Sequence, residues 1–252
     1  MSGRRIRLGH LYPREMSIYG DRGNIISLQD RSRRRGIDLE IVEIGRDTQS
    51  IDDIDIFFMG GGQDQDQDLV ASDLAGPKRE AVKNAIGSGA ALLAVCGGYQ
   101  FLGSHYTTVD GTRLPGLGLV DLRTEAGQER AIGNVLVDVS ALGLNPPTLV
   151  GFENHAGRTF LGPGLAPLGR CIVGRGNNGD GAEGVVSGTV IGTYLHGSLL
   201  PKNPHLTDHL LAIALARREP GATLQPLEAE DEMAAHLAVA DRVRREGPLG
   251  NR

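Results

Sequence analysis

The sequence predicts an α/β protein with an open, mostly parallel twisted sheet flanked by helices, followed by extra antiparallel strands in its second half. Three observations lead to this fold class. In the first half, short apolar segments alternate with helical segments of about ten residues, a pattern typical of βαβ units. In the second half, glycine and proline turns separate short strand-like segments. Apolar residues make up 40% of the 252 residues, which is enough for a folded core and excludes wholesale disorder.

The first half of the chain contains four predicted strands and two predicted helices. Each helix is followed by glycine, the residue that most easily adopts the left-handed conformation at a helix C-terminus. Because strands and helices alternate here, we expect these strands to run parallel in one sheet. The predicted strands are 4–12, 38–44, 54–59 and 90–95, and the predicted helices are 24–35 and 78–86.

The second half is predicted to contain six short strands and then two helices. It has no repeat of fixed period and no long linker rich in proline or serine. We therefore expect a single domain that spans residues 1–252. The predicted strands are 117–126, 132–140, 148–155, 169–173, 183–187 and 189–195, and the predicted helices are 204–217 and 228–245.

Charge and composition exclude several classes of function. The chain carries 26 basic and 31 acidic side chains, a formal net charge of −5, and only 4% of its residues are aromatic. This balance argues against a nucleic-acid-binding surface, which needs basic patches or stacking aromatic residues. No apolar run approaches the ~20 residues of a membrane span, and the N-terminus lacks a signal-peptide pattern. We therefore expect a cytoplasmic protein without a membrane span.

Cys96 is the strongest candidate for a catalytic nucleophile. It directly follows an apolar strand and precedes Gly97, Gly98 and a short helical segment, 99–103. This layout is typical of a nucleophile elbow, in which a sharp turn exposes the side chain and small neighbours relieve crowding. A helix N-terminus beside the sulfur favours the reactive thiolate. The alternative is a buried cysteine at the end of a core strand, which is our interpretation of Cys171.

His196 is the candidate general base. It follows the strand-like run 189–195, and a cysteine nucleophile requires a side chain that both accepts and donates a proton near neutral pH. His155 is a further candidate, either behind the site or in contact with the substrate. His205 and His209 lie four residues apart on a predicted helix, but without a third ligand we interpret them as a solvated face and expect no metal site.

A run of three glycines, Gly60 to Gly62, follows the third predicted strand. At the carboxyl end of a parallel strand, such a run lies where open α/β sheets bind ligands. Its N–H groups can supply an oxyanion donor beside the nucleophile. A flexible turn is the alternative interpretation. The polar run 63–68 that comes next predicts a loop and the start of a helix rather than a cation site.

Together these motifs resemble the class I glutamine amidotransferases, and within that class the branch of the cobyric acid synthases. The nearest resemblance in that branch is to the glutaminase subunits of lipid II isoglutaminyl synthases. The resemblance implies a flavodoxin-like sheet and the hydrolysis of L-glutamine to glutamate and ammonia through a cysteine thioester. The matching segments are 19–24, 60–66, 94–100, 151–155 and 194–197.

The resemblance also implies catalytic roles for individual residues. Cys96 would attack the side-chain amide of glutamine. His196 would accept the thiol proton and later protonate the departing ammonia. The N–H groups of Gly61 and Gly97 would hold the oxyanion.

Two polar residues would bind the substrate according to the same resemblance. Gln100 would help to position glutamine. Arg130 is placed like an arginine that binds glutamine in this branch. For Arg130, a solvated arginine at a strand edge is the alternative interpretation.

The chain departs from the usual pattern of the class directly after His196. Many relatives have His-x-Glu, in which the glutamate orients the histidine, whereas this chain has Gly197 and Ser198. Loss of a triad acid can cost orders of magnitude in rate. Either Ser198 or another residue substitutes, or a partner supplies the carboxylate. The resemblance implies the partner, with an aspartate from a MurT-like, Mur-ligase-type subunit in a heterodimer. A milder departure is Ala94, where many relatives have glycine.

The chemistry of amide formation also requires a partner. Transfer of ammonia to a carboxylate needs activation by ATP, and the chain contains no P-loop sequence. We therefore expect no cofactor in this chain, and we expect ATP and Mg²⁺ on the ligase subunit. The resemblance implies that this subunit amidates the α-carboxyl of D-glutamate in lipid II, a step of peptidoglycan synthesis.

Three other functions stay open on the sequence. The first is a glutaminase domain for another acceptor, such as a corrinoid acid, although such proteins usually carry a fused synthetase domain. A cysteine hydrolase of the PfpI type is disfavoured, because its histidine follows its cysteine much more closely than His196 follows Cys96. The missing acid also keeps open a degenerate, non-catalytic binding module.

Overall fold

The computed structural model describes residues 4–17, 21–62 and 64–248, which form two six-stranded sheets flanked by helices. In chain order the strands are β1 (Arg5–Leu11), β2 (Asp38–Ile44), β3 (Ile56–Met59), β4 (Ala91–Val95), β5 (His105–Thr107), β6 (Arg113–Pro115), β7 (Leu122–Asp138), β8 (Thr148–Leu161), β9 (Gly169–Val173), β10 (Ala182–Glu183), β11 (Val185–Ser187) and β12 (Val190–Thr193). The helices are α1 (Arg22–Arg33), α2 (Asp64–Leu74), α3 (Pro77–Gly87), α4 (Gly97–Gln100), α5 (Leu199–Lys202), α6 (Pro204–Arg218) and α7 (Glu230–Glu246).

The first sheet is mostly parallel and confirms the predicted fold class. Its strands lie in the order β11-β12-β4-β3-β1-β2, and only the edge strand β11 is antiparallel to its neighbour. The parallel strands have the flavodoxin-like order. Because β3, β4 and β12 run in the same direction, their carboxyl ends meet at one edge, where open α/β sheets bind ligands.

Strands β3 and β4 are buried at every position, which explains why their sequences are continuous apolar runs rather than alternating ones. Successive side chains of a strand point to opposite faces of the sheet. Leu93 of β4 belongs to a core that includes residues of α1 and α6, whereas its neighbour Leu92 belongs to a core that includes residues of α2 and α3. Helices on both faces therefore shield this part of the sheet from water.

The second sheet is dominated by the long antiparallel hairpin of β7 and β8, and its order is β10-β9-β7-β5-β6 with β8 paired to β7. The prediction of separate strands at 117–126 and 132–140 is wrong, because β7 is one strand with a shift in register between Ala126 and Ala131. Gly127 in this polar stretch indicates a turn in the sequence. Pairing with β8 nevertheless continues on both sides of the shift, so the hairpin absorbs the irregularity.

The predicted strand 183–187 is also wrong as a single element. It divides at Gly184, whose φ of 61° lies in the left-handed region that favours glycine. β10 before this glycine belongs to the second sheet, and β11 after it belongs to the first. Gly184 therefore lets the chain pass from one sheet to the other.

Three elements are present that the sequence did not indicate clearly: α2, the β5–β6 hairpin and α5. The predicted loop with a helix start at 63–68 becomes the full helix α2, whose buried residues recur at the spacing of one helical face. Of the helices in the described ranges, none has the length and apolar character needed to cross a membrane. The buried residues of α2 are Gln67, Val70, Ala71 and Leu74.

Candidate active site

Cys96 occupies a sharp turn between β4 and α4. Its backbone has a φ of 53° and a ψ of −107°, a region that costs free energy for a residue with a Cβ and that clusters at functional sites. Its N–H donates to the carbonyl oxygen of Thr193 at 2.8 Å, which ties the turn to β12. The side chain is 8% exposed and lines a cleft. The turn thus has the shape expected of a nucleophile elbow.

The two glycines that follow Cys96 are required by close packing of the backbone. The N–H of Gly98 donates to the carbonyl oxygen of Gly60 at 3.0 Å, and a Cβ on Gly98 would lie 2.5 Å from the carbonyl oxygen of Met59. Gly97 is the first residue of α4, so its N–H has no acceptor within the helix. The start of α4 is thereby held against the glycine run.

His196 lies at the same edge of the first sheet as Cys96. β12 is the parallel neighbour of β4, with Thr193 opposite Val95, so both residues come shortly after the ends of adjacent strands. The backbone of His196 exchanges two hydrogen bonds with Phe152 of β8, at 3.0 and 3.2 Å. The imidazole is 3% exposed. Two neighbouring strands therefore supply the predicted nucleophile and base, and the second sheet fixes the backbone of the base.

Burial lowers the pKa of His196 to about 4. A hydrogen bond to the backbone of Asn154 opposes this shift. The imidazole is consequently neutral at neutral pH, the form that can accept a proton from a thiol. The neighbouring side chains that lower the pKa further are His155, Lys202 and Arg130.

Arg130 lines the same cleft as Cys96 and is held by Asn154. Its Nε donates to Oδ1 of Asn154 at 3.0 Å, and its Nη2 donates to the carbonyl oxygen of Asn154 at 3.1 Å. Asn154 therefore contacts both His196, the predicted base, and Arg130, the predicted glutamine-binding residue. Sequence reasoning missed Asn154, because its contact with His196 comes from the main chain, which every residue possesses.

His155 is a supporting residue in the wall of the cleft. Its ring stacks on Tyr194, with centroids 3.6 Å apart and planes inclined by 6°. Its Nδ1 lies 2.9 Å from the carbonyl oxygen of Gly157, and its Nε2 lies 3.7 Å from Oε2 of Glu153. Burial raises the pKa of Glu153, but the neighbouring His155 and hydrogen bonds from the backbone N–H groups of Arg175 and Gly176 hold that pKa below its ordinary value. The ring is thus held by a hydrogen bond on one edge and by stacking on one face, and a carboxylate lies near its other edge.

The glycine run lies beside Cys96, but the N–H of Gly61 already has an acceptor. It donates to Oδ2 of Asp21 at 2.8 Å, while a Cβ on Gly61 would lie 3.8 Å from Sγ of Cys96. Gly62 lines the cleft. That Gly61 and Gly97 hold an oxyanion stays a prediction. Three residues of the matching segments, Tyr19, Gly20 and Gln63, lie outside the described residues.

Asp21, which sequence reasoning did not single out, precedes α1 and is 1% exposed. Its Oδ1 lies 3.5 Å from Nδ2 of Asn24, and Oδ1 of Asn24 accepts the N–H of Leu200 at 2.8 Å. One end of α1 therefore contacts both the glycine run and the helix that follows His196. Burial raises the pKa of Asp21 to about 7, and the bond from the N–H of Gly61 opposes this shift.

Replacing Asp21 with alanine is expected to lower both stability and activity. The change leaves the N–H of Gly61 buried without its acceptor, which costs about 1–3 kcal/mol in the free energy of unfolding. Displacement of the glycine run beside Cys96 should also lower kcat for the glutamine hydrolysis that the sequence resemblance implies, roughly tenfold or more. Urea unfolding measures the first effect and the rate of ammonia release measures the second.

Asp21→Asn is the conservative comparison, because an amide oxygen still accepts this N–H. The pKa of Asp21 is about 7 in the folded protein, above its ordinary value of 3.8. Between these two pH values the folded state therefore binds more protons than the unfolded state. Wild type should therefore lose stability relative to Asp21→Asn as the pH rises from 3.8 to about 7. Asp30→Asn, on the same helix, is the matched control. Unchanged stability and kcat in Asp21→Ala would contradict this role.

Of the remaining predicted residues, Gln100 lies in the cleft and Cys171 lies elsewhere in the fold. Gln100, at the end of α4, is 5% exposed and lines the cleft together with Cys96, Arg130 and His155. Cys171 lies in β9, where burial raises the pKa of its thiol to about 12. Among the described residues, no group of three or more acidic, histidine or cysteine side chains is arranged to hold a metal ion.

A strained cysteine at the carboxyl edge of a flavodoxin-like sheet, with a neutral histidine shortly after the end of the neighbouring strand, is the arrangement expected of α/β enzymes that use a cysteine–histidine pair. The sequence profile of the CobB/CobQ-like glutamine amidotransferase domain matches residues 7–204. The chain belongs to this family.

Individual proteins of similar sequence indicate which members of this family the chain resembles. The chain is 42% identical to the lipid II isoglutaminyl synthase (glutamine-hydrolyzing) subunit GatD of Staphylococcus aureus strain N315, over 94% of this chain and 96% of that protein. It is 36% identical to the subunit of the same name from Streptococcus pneumoniae strain R6, over 92% and 89% of the two chains. The cobyric acid synthase of Pelotomaculum thermopropionicum is 32% identical over 69% of this chain but only 35% of that protein.

Solved structures support the fold independently. PurLQS from Thermotoga maritima superposes with a TM-score of 0.55 at 13% identity, over 94% of this chain and 99% of the other. A glutamine amidotransferase from Thermotoga maritima superposes with a TM-score of 0.50 at 14% identity, over 95% and 92%. At such identities the likeness shows the fold alone.

Proposed function

We propose that this chain is the glutaminase subunit of a lipid II isoglutaminyl synthase. It hydrolyses L-glutamine and delivers ammonia to an ATP-dependent ligase subunit. The proposal depends on one observation above all, which is that Cys96 and His196 follow the ends of adjacent parallel strands. The two relatives named GatD, which match this chain over most of their length, support the particular enzyme.

In the proposed acylation step, Sγ of Cys96 attacks the side-chain carbonyl carbon of glutamine while His196 accepts the thiol proton. The resulting oxyanion is stabilised by the backbone N–H of Gly97 at the start of α4, and the N–H of Gly61 joins it by exchanging its bond to Asp21 for one to the oxyanion. His196 then returns its proton to the amide nitrogen, the C–N bond breaks, and ammonia leaves. The product on the enzyme is a thioester of Cys96.

In the proposed deacylation step, His196 accepts a proton from water, and the oxygen attacks the thioester carbonyl. The C–S bond breaks, the Cys96 sulfur regains a proton from His196, and glutamate is released. Arg130 is suited to hold the α-carboxylate of the substrate, because its guanidinium lies in the same cleft as the nucleophile.

The third member of the catalytic triad is proposed to come from the partner. The hydrogen bond to the backbone of Asn154 orients the His196 ring, but a neutral carbonyl stabilises an imidazolium less than a carboxylate does. An aspartate from a MurT-like subunit would supply the missing charge. Glutamine hydrolysis would then depend on the heterodimer, which limits wasteful release of ammonia.

The ligase subunit is proposed to carry the energy-requiring chemistry. It would bind ATP and Mg²⁺, activate the α-carboxyl of D-glutamate in lipid II, and accept ammonia from this chain. Peptidoglycan precursors are assembled with cytoplasmic ATP, so we propose a cytoplasmic location for the heterodimer. A corrinoid acid is the less favoured acceptor, since the chain spans only about a third of the cobyric acid synthase that it matches.

The test is to assay purified chain with and without a co-expressed MurT-like ligase. The chain alone should release glutamate and ammonia slowly, and the complex should be faster by about tenfold or more, because a missing triad acid costs orders of magnitude. With ATP and lipid II, mass spectrometry should detect conversion of the carboxyl to an amide. A complex that forms but hydrolyses glutamine no faster would contradict the borrowed acid, and amidation of a corrinoid acid alone would contradict the acceptor.

A further inference from the structure

Gln67 carries a buried polar atom that the fold leaves without a hydrogen bond. It lies on α2, is 4% exposed, and lines the cleft that contains Cys96. Its Nε2 donates to Oε1 of Gln100 at 3.3 Å. Its Oε1, by contrast, has no hydrogen-bond partner among the described residues. Buried acceptors are almost always satisfied in folded proteins, so an open one in a cleft indicates a ligand.

A chain of hydrogen bonds fixes which end of the Gln67 amide is open. The amide nitrogen of Gln100 lies on the side of the Tyr194 hydroxyl, because a Cβ on Gly157 would lie 2.4 Å from the former and 2.7 Å from the latter. The Tyr194 hydroxyl lies 2.8 Å from Oγ1 of Thr159. The Thr159 hydroxyl in turn lies 2.8 Å from Oγ1 of Thr124. Because the amide nitrogen of Gln100 faces Tyr194, its amide oxygen faces Gln67 and requires a donor. Gln67 must therefore present its nitrogen to Gln100 and keep its oxygen open.

The position of Gln67 relates this open oxygen to the reacting centre. A Cβ on Gly97 would lie 3.1 Å from Nε2 of Gln67, and Gly97 directly follows the nucleophile. Arg130 lies in the same cleft and supplies a cation. The cleft thus offers a positive group and a separate neutral acceptor. An amino acid amide has complementary groups, namely one carboxylate and two groups that carry N–H.

We propose that Gln67 is a substrate-recognition residue whose Oε1 accepts a hydrogen bond from an N–H group of the bound glutamine. This inference rests on the proposed glutaminase function. The donor is either the side-chain carboxamide or the α-ammonium group of the substrate, and both offer the same chemistry to a carbonyl oxygen. In either case Gln67 contributes to discrimination rather than to bond cleavage. A substrate that lacks the relevant N–H group leaves the buried oxygen unsatisfied, which is how polar sites reject analogues.

The test uses Gln67→Met, which keeps the length of the side chain and removes both the acceptor and the Nε2 donor to Gln100. Three substrates are compared in the heterodimer: glutamine, glutamate γ-methyl ester, which lacks the carboxamide N–H, and glutaramate, which lacks the α-ammonium group. We expect KM for glutamine to rise about tenfold, the equivalent of one good hydrogen bond. Gln29→Met, on the exposed face of α1, is the matched control.

The pattern across the three substrates decides the outcome. If KM for the ester is unchanged by Gln67→Met, the proposal holds and the carboxamide is the donor. If KM for glutaramate is unchanged instead, the proposal holds and the α-ammonium is the donor. Unchanged KM for glutamine, or an equal loss on all three substrates, would overturn it, since the latter result describes a merely structural role.

Two further measurements separate this inference from the proposed function. Urea unfolding of Gln67→Met shows whether the variant is folded. Calorimetry with glutamine and Cys96→Ala, with and without Gln67→Met, reports substrate binding without turnover. Failure of wild type to hydrolyse glutamine would count against the proposed function, whereas glutamine binding that Gln67→Met does not weaken would count against the role of Gln67.

Discussion

Cys96→Ala is expected to abolish glutamine hydrolysis by the heterodimer. The variant lacks the sulfur that forms the thioester, and no other thiol lines the cleft. The loss of kcat should reach roughly a thousandfold or more, as for removal of the nucleophile in other triad enzymes. Ammonia release is the direct measurement. Amidation of lipid II should persist when ammonium chloride replaces glutamine, because the ligase chemistry does not involve this thiol.

The other cysteine provides the control. Cys171→Ala should hydrolyse glutamine at the wild-type rate, because Cys171 lies in β9 and burial raises its pKa to about 12. Labelling with the glutamine analogue diazo-oxo-norleucine should therefore be lost in Cys96→Ala and kept in Cys171→Ala. Equal hydrolysis by wild type and Cys96→Ala would refute the catalytic assignment.

His196→Gln is expected to lower kcat/KM for glutamine by a factor of about a thousand, which is typical for the loss of a catalytic base. The amide has a similar size but accepts no proton from the thiol. Diazo-oxo-norleucine should label the variant far more slowly than wild type. His209→Gln on α6 is the matched control and should leave the rate unchanged. Labelling of His196→Gln at the wild-type rate would show that another group acts as the base.

The pH profile of the wild type gives a second measurement of the same role. His196 must be unprotonated to accept the thiol proton, and burial lowers its pKa to about 4. Activity of the chain without its partner should therefore fall as the pH decreases through about 4 rather than through the ordinary histidine value of 6.5. An acid limb centred near 6.5 would mean that the base is a solvated histidine.

The arrangement of the first sheet was predictable because burial leaves a strong signal in sequence. β3 and β4 are covered on both faces, so their residues are uniformly apolar, and each runs into a functional turn. The second sheet was harder. β7 carries polar residues and Gly127 across its register shift, which a local pattern cannot distinguish from a turn. Strand β8 extends to Leu161 and pairs with β7 on both sides of the shift, and only this pairing shows that β7 is one continuous strand.

The residues of the candidate site also differ in how clearly the sequence indicates them. The chemistry of the reaction restricts the nucleophile and base to a few residue types, so Cys96 and His196 can be proposed for these roles from sequence. The supporting residues leave weaker signals, because their roles depend on neighbours that are distant in the chain. Asp21 acts on Gly61, forty residues away, and the contact of Asn154 with His196 involves the main chain. The polar sequence around Gln67 predicts an exposed loop, whereas the structure places Gln67 on the buried face of α2, in the wall of the cleft.

The start of α1 has a further consequence for how the active site can change by mutation. Asp21 holds the backbone on the nucleophile side, and three residues later Asn24 holds the start of α5, shortly after the base. A shift of this helix end would move both loops at once. The start of α1 thus connects the backbone beside Cys96 with the backbone that follows His196, and mutations near either residue share one mechanical constraint.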